Sequence, residues 1–141
     1  MKSIKLACII TLAVFTSQAF SQTGQQPGDK INGLYWSPKK DAKIEIFKKG
    51  NRYFGKSVWV AVPRKDNQNP DKDLKKRELL GAELLTDFSY SDGTYTEGKI
   101  YDPESGKLYD CKITMIGDNL KVRGYVGISL FGRTEIFERI K

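Results

Sequence analysis

The 141-residue chain contains no histidine, and this absence removes several kinds of active site at once. A Ser-His-Asp triad, a Cys-His dyad and a metal site built on imidazole all need a histidine side chain. An enzyme would have to use carboxylates or lysines as its acid and base, and no spacing in the chain singles out such a pair. We therefore nominate no catalytic residue, no metal ligand and no cofactor, and we disfavour an enzyme.

One segment loosely resembles a calcium-binding loop, because oxygen-bearing side chains recur at short spacing from residue 67 to 78. Lys72 stands where such a loop needs glycine, and Lys75 adds positive charge that repels a cation. A structural interpretation fits better. Asn69 is a good N-cap and Pro70 a good first helical residue, so we predict a short helical turn near residues 70–77.

Long apolar runs are also missing, apart from residues 6–15 near the N-terminus. Lys2 and Lys5 precede that run, and Ala19 and Ser21 put small residues where a signal peptidase cleaves. The run is about half of the roughly 20 residues that a membrane span needs. We predict a signal peptide at residues 1–21, cleavage before residue 22, a periplasmic or secreted product, and no transmembrane anchor in the mature form.

Cysteine is nearly absent, with one residue in the predicted signal peptide and one at position 111. After cleavage only Cys111 remains, so an intramolecular disulfide is excluded and packing must stabilise the fold. Tyr109, Cys111, Ile113 and Met115 alternate with polar residues, which predicts a strand with a buried apolar face. We expect the Cys111 thiol to lie in the core.

The mature chain is mildly basic. Lysine and arginine outnumber aspartate and glutamate by 24 to 17, and the leader holds two of those lysines and no acid, so the net charge is 22 − 17 = +5. The charge is scattered, which argues against nucleic acid and favours an anionic ligand or a negative envelope surface. Residues 22–30 are predicted to be a flexible lead-in and residues 31–141 a single domain, whose oligomeric state stays open.

Glycine, proline and aspartate divide that domain into short β-rich runs. The strongest hairpin signal is residues 98–111, GKIYDPESGKLYDC, where Pro103 and Gly106 supply the turn. Asp92 and Gly93 mark a second hairpin. We count about eight or nine strands at a spacing of roughly 8–12 residues, which indicates a barrel or sandwich. Sequential hairpins favour a single all-β, antiparallel up-and-down barrel, because closure removes exposed sheet edges.

Four motifs in fixed order, DAKIEI, NPDKDLKKRELLG, GKIYDPESGKLYDC and LKVRGYVGISLFGR, resemble the bacterial family called domain of unknown function 2147. The resemblance runs from about residue 31 to residue 139. That family consists of small exported bacterial proteins without an established activity, so the resemblance implies export and fold more than function. Tyr35 and Phe137 stand where the family tends to have tryptophan, which alters the packing without removing the aromatic character.

A further resemblance is to lipocalin-type barrels, which pair an early Gly-x-Trp with an arginine after the last strand. In those barrels the guanidinium stacks on the indole and closes the floor. Gly33, Tyr35 or Trp36, and Arg139 would take these parts here. The resemblance implies a lipocalin-like barrel.

The candidate ligand-binding residues are polar or aromatic side chains of the predicted strands: Arg123, Tyr125, Arg133, Glu97, Lys99, Tyr101 and Trp59. Arg123 and Tyr125 share the face opposite Val122. If that face points into the barrel, Arg123 is a buried cation that needs a carboxylate such as Glu97 or an anionic ligand. The alternative is an outward polar face with surface ion pairs.

The aromatic residues leave a second question open, because they either line an apolar cavity or fill the barrel core. This set comprises Tyr35, Trp36, Tyr53, Phe54 and Trp59. Our leading hypothesis is an exported barrel that binds a small, partly apolar and anionic ligand. The alternative is an envelope-associated interaction or structural module with a filled barrel, whose basic 64–77 loop faces an anionic partner. A carboxylate-based hydrolase is the third hypothesis.

Overall fold

The computed structural model describes residues 24–141, so the predicted signal peptide and its cleavage site lie outside the described residues. Eight antiparallel strands pair in sequential order, and the last returns to the first. The strands are β1 (Gly33–Trp36), β2 (Ala42–Lys49), β3 (Arg52–Val60), β4 (Glu83–Ser91), β5 (Thr94–Asp102), β6 (Lys107–Ile116), β7 (Asn119–Tyr125) and β8 (Arg133–Arg139). The prediction of a closed up-and-down barrel is confirmed.

Tight turns set the register of the hairpins. Asp102 pairs with Lys107 across the β5–β6 turn, and Gly98 pairs with Cys111 further along the same hairpin. Gly106 has a φ of 72°, which a residue without Cβ adopts at no steric cost. The predicted 98–111 hairpin is therefore present, with its charged tip held by local hydrogen bonds to the Asp102 carboxylate.

The alternating strand directions give the barrel two different ends. The connections β1–β2, β3–β4, β5–β6 and β7–β8 lie at one end, which we call the mouth. The three remaining hairpin turns and the start of β1 lie at the other, which we call the closed end. The β3–β4 connection, residues 61–82, is the longest and contains a 3₁₀ turn at Leu74–Lys76. That turn is shorter than the helical turn predicted for 70–77.

The structure differs from the predicted lead-in. Residues Pro27–Ile31 form a 3₁₀ turn that packs under the closed end, with Gly28 and Ile31 buried. The cause is specific contact rather than composition, since the Tyr95 hydroxyl donates to the Gly28 carbonyl oxygen at 2.7 Å. Within residues 24–141, no helix is long and apolar enough to cross a membrane.

Two paired irregularities bend β4 and β5. Asp87 and Glu97 both have a φ of 64°, and the β5–β6 register shifts between Tyr95 and Gly98. Because of the Asp87 kink, Leu85 and Phe88 both point inward although they are three residues apart. The plain alternation predicted for this segment, which put Leu84 and Phe88 on one face, therefore fails at the kink, and β4 begins at Glu83 rather than at Leu79.

Candidate ligand-binding cavity

The closed end is filled by tyrosines that bond to the N-terminal turn. Tyr35, Tyr53 and Tyr95 are all buried, and each hydroxyl has a partner in the Pro27–Ile31 turn. Tyr35 donates to the Ile31 carbonyl at 2.8 Å and Tyr53 to the Asp29 carboxylate at 2.7 Å. Burial raises the pKa of Tyr35 and of Tyr95 to about 12, so both stay neutral donors at physiological pH. These rings fill the lower half of the barrel.

Arg139 completes the closed end. Its guanidinium lies 4.7 Å from the Tyr35 ring centre and donates to the carbonyl oxygens of Lys30 (2.7 Å) and Asn32 (3.0 Å). Gly33 has a φ of 148°, and a Cβ there would collide with the guanidinium. The glycine, aromatic and arginine of the lipocalin resemblance therefore meet as that resemblance implies, with Tyr35 rather than Trp36 as the stacking ring.

The upper half of the barrel is open. A cavity of about 630 Å³ extends from the mouth down to a floor of buried apolar side chains, Ile44, Leu85, Val122 and Phe137. Higher up, the wall is formed by Val60, Leu79, Ile100 and Tyr109. Small inward-facing residues leave this space unfilled. At Gly124, for example, an added Cβ would lie 3.4 Å from Ile100, which is an ordinary van der Waals contact. The filled-barrel alternative therefore does not describe this half.

The cavity wall on the β3–β4 side is held in place by a buried carboxylate. Asp66 is fully buried and accepts hydrogen bonds from Tyr101 (2.6 Å), Asn69 (2.8 Å) and Arg77 (2.9 Å). Burial alone would raise the pKa of Asp66, but these three donors outweigh it and hold the pKa below its usual range. The same connection packs on the β5–β6 turn, where the Gln68 backbone leaves no room for a Cβ at Gly106.

The mouth carries charges of both signs. Arg133 pairs with Glu135 at 2.8 Å, and Lys39 pairs with Glu104 at 2.9 Å. Arg64 also lines the mouth, and its side chain has no ion-pair partner among residues 24–141. An apolar interior under a charged rim suits a molecule with an apolar body and a polar head.

Of the predicted site residues, Tyr101 and Arg133 line the cavity. Arg123 does not, because Val122 and Gly124 occupy the inner face of β7 and Arg123 lies outside. Its guanidinium donates to the carbonyl oxygens of Ser129 and Leu130 and to the Thr134 hydroxyl. Tyr125 shares this outer face, so the inward orientation of the pair is not found.

The remaining predicted residues also lie on the outer surface. Glu97 pairs with Arg52 at 2.8 Å, and Lys99 pairs with Asp110. Trp59 packs edge-to-face on Trp36 at 5.8 Å, under the Lys43 ammonium group. A register shift opposite Lys43 and Ile44 inserts one residue into β3, so Ser57 points inward and Trp59 outward. These three residues are therefore not brought together with Tyr101 and Arg133.

Several lining residues were missed when the site was chosen from the sequence. Ser57, Gly124 and Glu135 line the cavity although none has the size or charge pattern that marks a binding residue. A usable signal did exist for others, since the predicted alternation puts Tyr109 on a buried apolar face and Val122 on the apolar face of its strand. The apolar faces of the strands, rather than their polar faces, therefore carry the sequence signal for the cavity wall.

Comparison with known proteins shows the family of the chain and a solved structure with a similar fold. A family model described as "Uncharacterized protein conserved in bacteria (DUF2147)" matches residues 33–139. A protein of the human pathogen Helicobacter pylori, described as belonging to the lipocalin family, has a similar solved structure. The identity is 20%, the TM-score is 0.72, and the alignment covers 79% of this chain and 83% of that one. No curated protein matches the chain.

Proposed function

Because this chain belongs to the DUF2147 family of bacterial proteins and folds as a lipocalin-like barrel, we propose that its cavity binds a small amphipathic ligand. The observation that carries the proposal is the 630 Å³ space above a sealed floor. Ligand sites of this kind are concave, mostly apolar and in the range of roughly 300–1,000 Å³. The proposed ligand has an apolar body that fills the space and an anionic head at the mouth.

Arg64 and Arg133 favour a negatively charged head. Both line the mouth, and only Arg133 has an ion-pair partner within residues 24–141. An anionic head would supply Arg64 with the partner that it lacks, and it would stay hydrated while the body is buried. The predicted signal peptide supports the further proposal that this binding protein acts in the periplasm or outside the cell.

The test uses two fluorescent probes with similar apolar bodies, neutral N-phenylnaphthylamine and anionic anilinonaphthalene sulfonate. Both are expected to bind saturably with a stoichiometry of one. Gly124→Leu fills part of the cavity without backbone strain, and we expect it to weaken both probes about tenfold, equivalent to about 1.4 kcal/mol. Arg64→Ala should weaken only the anionic probe, by about fivefold.

The matched control is Lys121→Leu, which adds the same side chain to the outer face of the same strand. It should leave both probes unaffected. Unchanged probe affinity in Gly124→Leu, or the absence of saturable binding to the unaltered protein, would overturn the proposal. Native mass spectrometry of protein purified from its own host would then identify any co-purified ligand.

A further inference from the structure

The β7–β8 connection, residues 126–132, exposes a group of large apolar side chains at the mouth. Val126, Ile128, Leu130 and Phe131 are 76%, 57%, 75% and 80% exposed, and the segment contains no charged residue. Single exposed apolar residues are ordinary, but four within six positions form a contiguous patch. Nothing in the proposed ligand binding uses them, because they do not line the cavity.

The backbone of this connection is partly hydrogen-bonded within the connection itself. Its 3₁₀ turn, Ser129–Phe131, is closed by hydrogen bonds from Phe131 to Ile128 and from Gly132 to Ser129. Arg123 reaches up from β7 and donates to the Ser129 oxygen at 2.6 Å and to the Leu130 oxygen at 3.1 Å. The apolar interior of a bilayer offers no hydrogen-bond partners. These hydrogen bonds therefore lower the cost of moving the backbone of the connection into it.

Directly below the patch lie cations that have no carboxylate partner within residues 24–141. On the outer face of the sheet, Lys112 of β6 lies opposite Arg123 of β7. Two residues further from the mouth, Thr114 lies opposite Lys121. Together with Thr134 these side chains form a shallow basic groove. A strand rises about 3.3 Å per residue, so the groove begins within about 10 Å of the apolar tip. That spacing matches the step from acyl chains to phosphates in a membrane interface.

The shape of the patch decides between a bilayer and a protein partner. A stable protein interface needs roughly 20–30 residues on each side, whereas this patch is the tip of one seven-residue connection. A fluid bilayer accepts such a tip without a complementary surface, and anionic headgroups complement the groove. The long β3–β4 connection at the same end adds net positive charge, with six lysines and arginines against four acids in residues 61–82.

We propose that the 126–132 connection inserts its apolar side chains into an anionic phospholipid bilayer, with Lys112 and Lys121 facing the phosphates. This docking would point the cavity mouth at the membrane, so an amphipathic ligand could pass between bilayer and barrel. Docking and ligand binding can be tested separately, because docking is measured by partition into vesicles and ligand binding by the affinity of the probes.

The experiment measures co-sedimentation with vesicles of phosphatidylethanolamine and phosphatidylglycerol, and with vesicles of phosphatidylcholine alone. Exported protein with a mass-verified N-terminus is used, and every variant carries the same N-terminus. The unaltered protein should partition into the anionic vesicles, and less so as salt is raised. Leu130→Ser with Phe131→Ser should reduce the partition coefficient at least about tenfold. Lys121→Glu should reduce it about fivefold or more on anionic vesicles.

Matched controls lie at the closed end. Ile116→Ser removes an exposed apolar side chain from the β6–β7 hairpin, and Lys141→Glu reverses a charge at the C-terminus. Neither should change the partition. A second readout is a polarity-sensitive dye on Phe131→Cys, whose emission should shift to the blue with anionic vesicles, while the dye should not label the buried Cys111.

Three outcomes would overturn the proposal. One is equal partition of Leu130→Ser with Phe131→Ser and of Ile116→Ser. The second is equal partition of Lys121→Glu and Lys141→Glu. The third is no vesicle binding together with a dimer, seen by analytical ultracentrifugation, that Phe131→Ser converts to monomer, because the patch would then be an interface between copies.

Discussion

The two ends of this barrel use inward-facing side chains for opposite purposes. At the closed end, large rings fill the interior and Arg139 ties β8 to the N-terminal turn. At the mouth, the same strands present small residues such as Ser57 and Gly124 together with the exposed Arg133, and a cavity remains. Packing density therefore changes along each strand within a few residues, although the hydrogen-bonded ladder continues through both halves.

This difference separates stability from binding. A filled interior contributes dispersion and hydrophobic free energy, while an unfilled one forgoes both and leaves room for a ligand. We expect substitutions at the closed end to change the free energy of unfolding and substitutions at the mouth to change binding. Pairs of identical substitutions at the two ends test that division.

The largest contrast is expected between the two inward arginines of β8. Arg139→Ala removes the stacking on Tyr35 and leaves the carbonyl oxygens of Lys30 and Asn32 without their donor. We expect a loss of about 3 kcal/mol in the free energy of unfolding. Arg133→Ala at the mouth removes an exposed ion pair and should cost less than about 0.5 kcal/mol. Urea denaturation of both variants measures the difference.

Arg139→Lys refines this test, because it keeps the charge and loses the planar guanidinium with its several donors. An intermediate loss is expected. Equal destabilisation by Arg139→Ala and Arg133→Ala would show that the closed end is not the more stabilising half.

The closed end was the more predictable half from sequence. Its arginine, glycine and aromatic residue carry a recognisable pattern, and the alternation around Cys111 identified a buried face that the structure contains. Regular alternation works wherever a strand is regular. It fails at Trp59 and at Phe88, because an inserted residue or a left-handed backbone reverses which side chains point inward, and neither is visible in the local composition.

The cavity was not predictable, for a different reason. Its volume depends on which small side chains from distant strands face one another, as Ser57 and Gly124 do across the upper barrel. The orientation of Arg123 stayed open for a related reason. A polar strand face has the same sequence pattern whether it points into the barrel or out to solvent. Asp66 was overlooked because its burial depends on Tyr101, which lies 35 residues away in the chain.

A smaller effect is expected for Asp66, which is fully buried although it lies at the open end of the barrel. Because the pKa of Asp66 is lowered in the folded protein, its contribution to stability is present above the unfolded value near 3.9 and is lost as pH falls through the folded value. Asp66→Asn should therefore cost about 2 kcal/mol at pH 7. The difference from the unaltered protein should shrink below about pH 4.

Urea denaturation across the pH range from about 2 to 7 measures this dependence. The control is Asp73→Asn, which changes an exposed residue of the same connection. It should leave the free energy of unfolding nearly unchanged at every pH. A pH-independent difference for Asp66→Asn would mean that packing of the β3–β4 connection, rather than the carboxylate charge, holds the wall. The Asp66 carboxylate would then not be a polar anchor comparable to those of the closed end.

The smallest effect is expected from adding a single methyl group at each end. In Gly28→Ala the new Cβ would lie 2.5 Å from the Tyr53 hydroxyl and 2.8 Å from the Tyr90 ring. Tyr53 cannot yield freely, because it is bonded to Asp29, so the N-terminal turn must shift at a cost of about 1 kcal/mol. Gly124→Ala meets only ordinary contacts with Ile100 and Tyr109, and it lowers the entropy of the unfolded chain. It should stabilise the protein by about 0.5 kcal/mol. Opposite signs in thermal denaturation would establish that the interior is full at one end and empty at the other, whereas a shared sign would contradict the comparison.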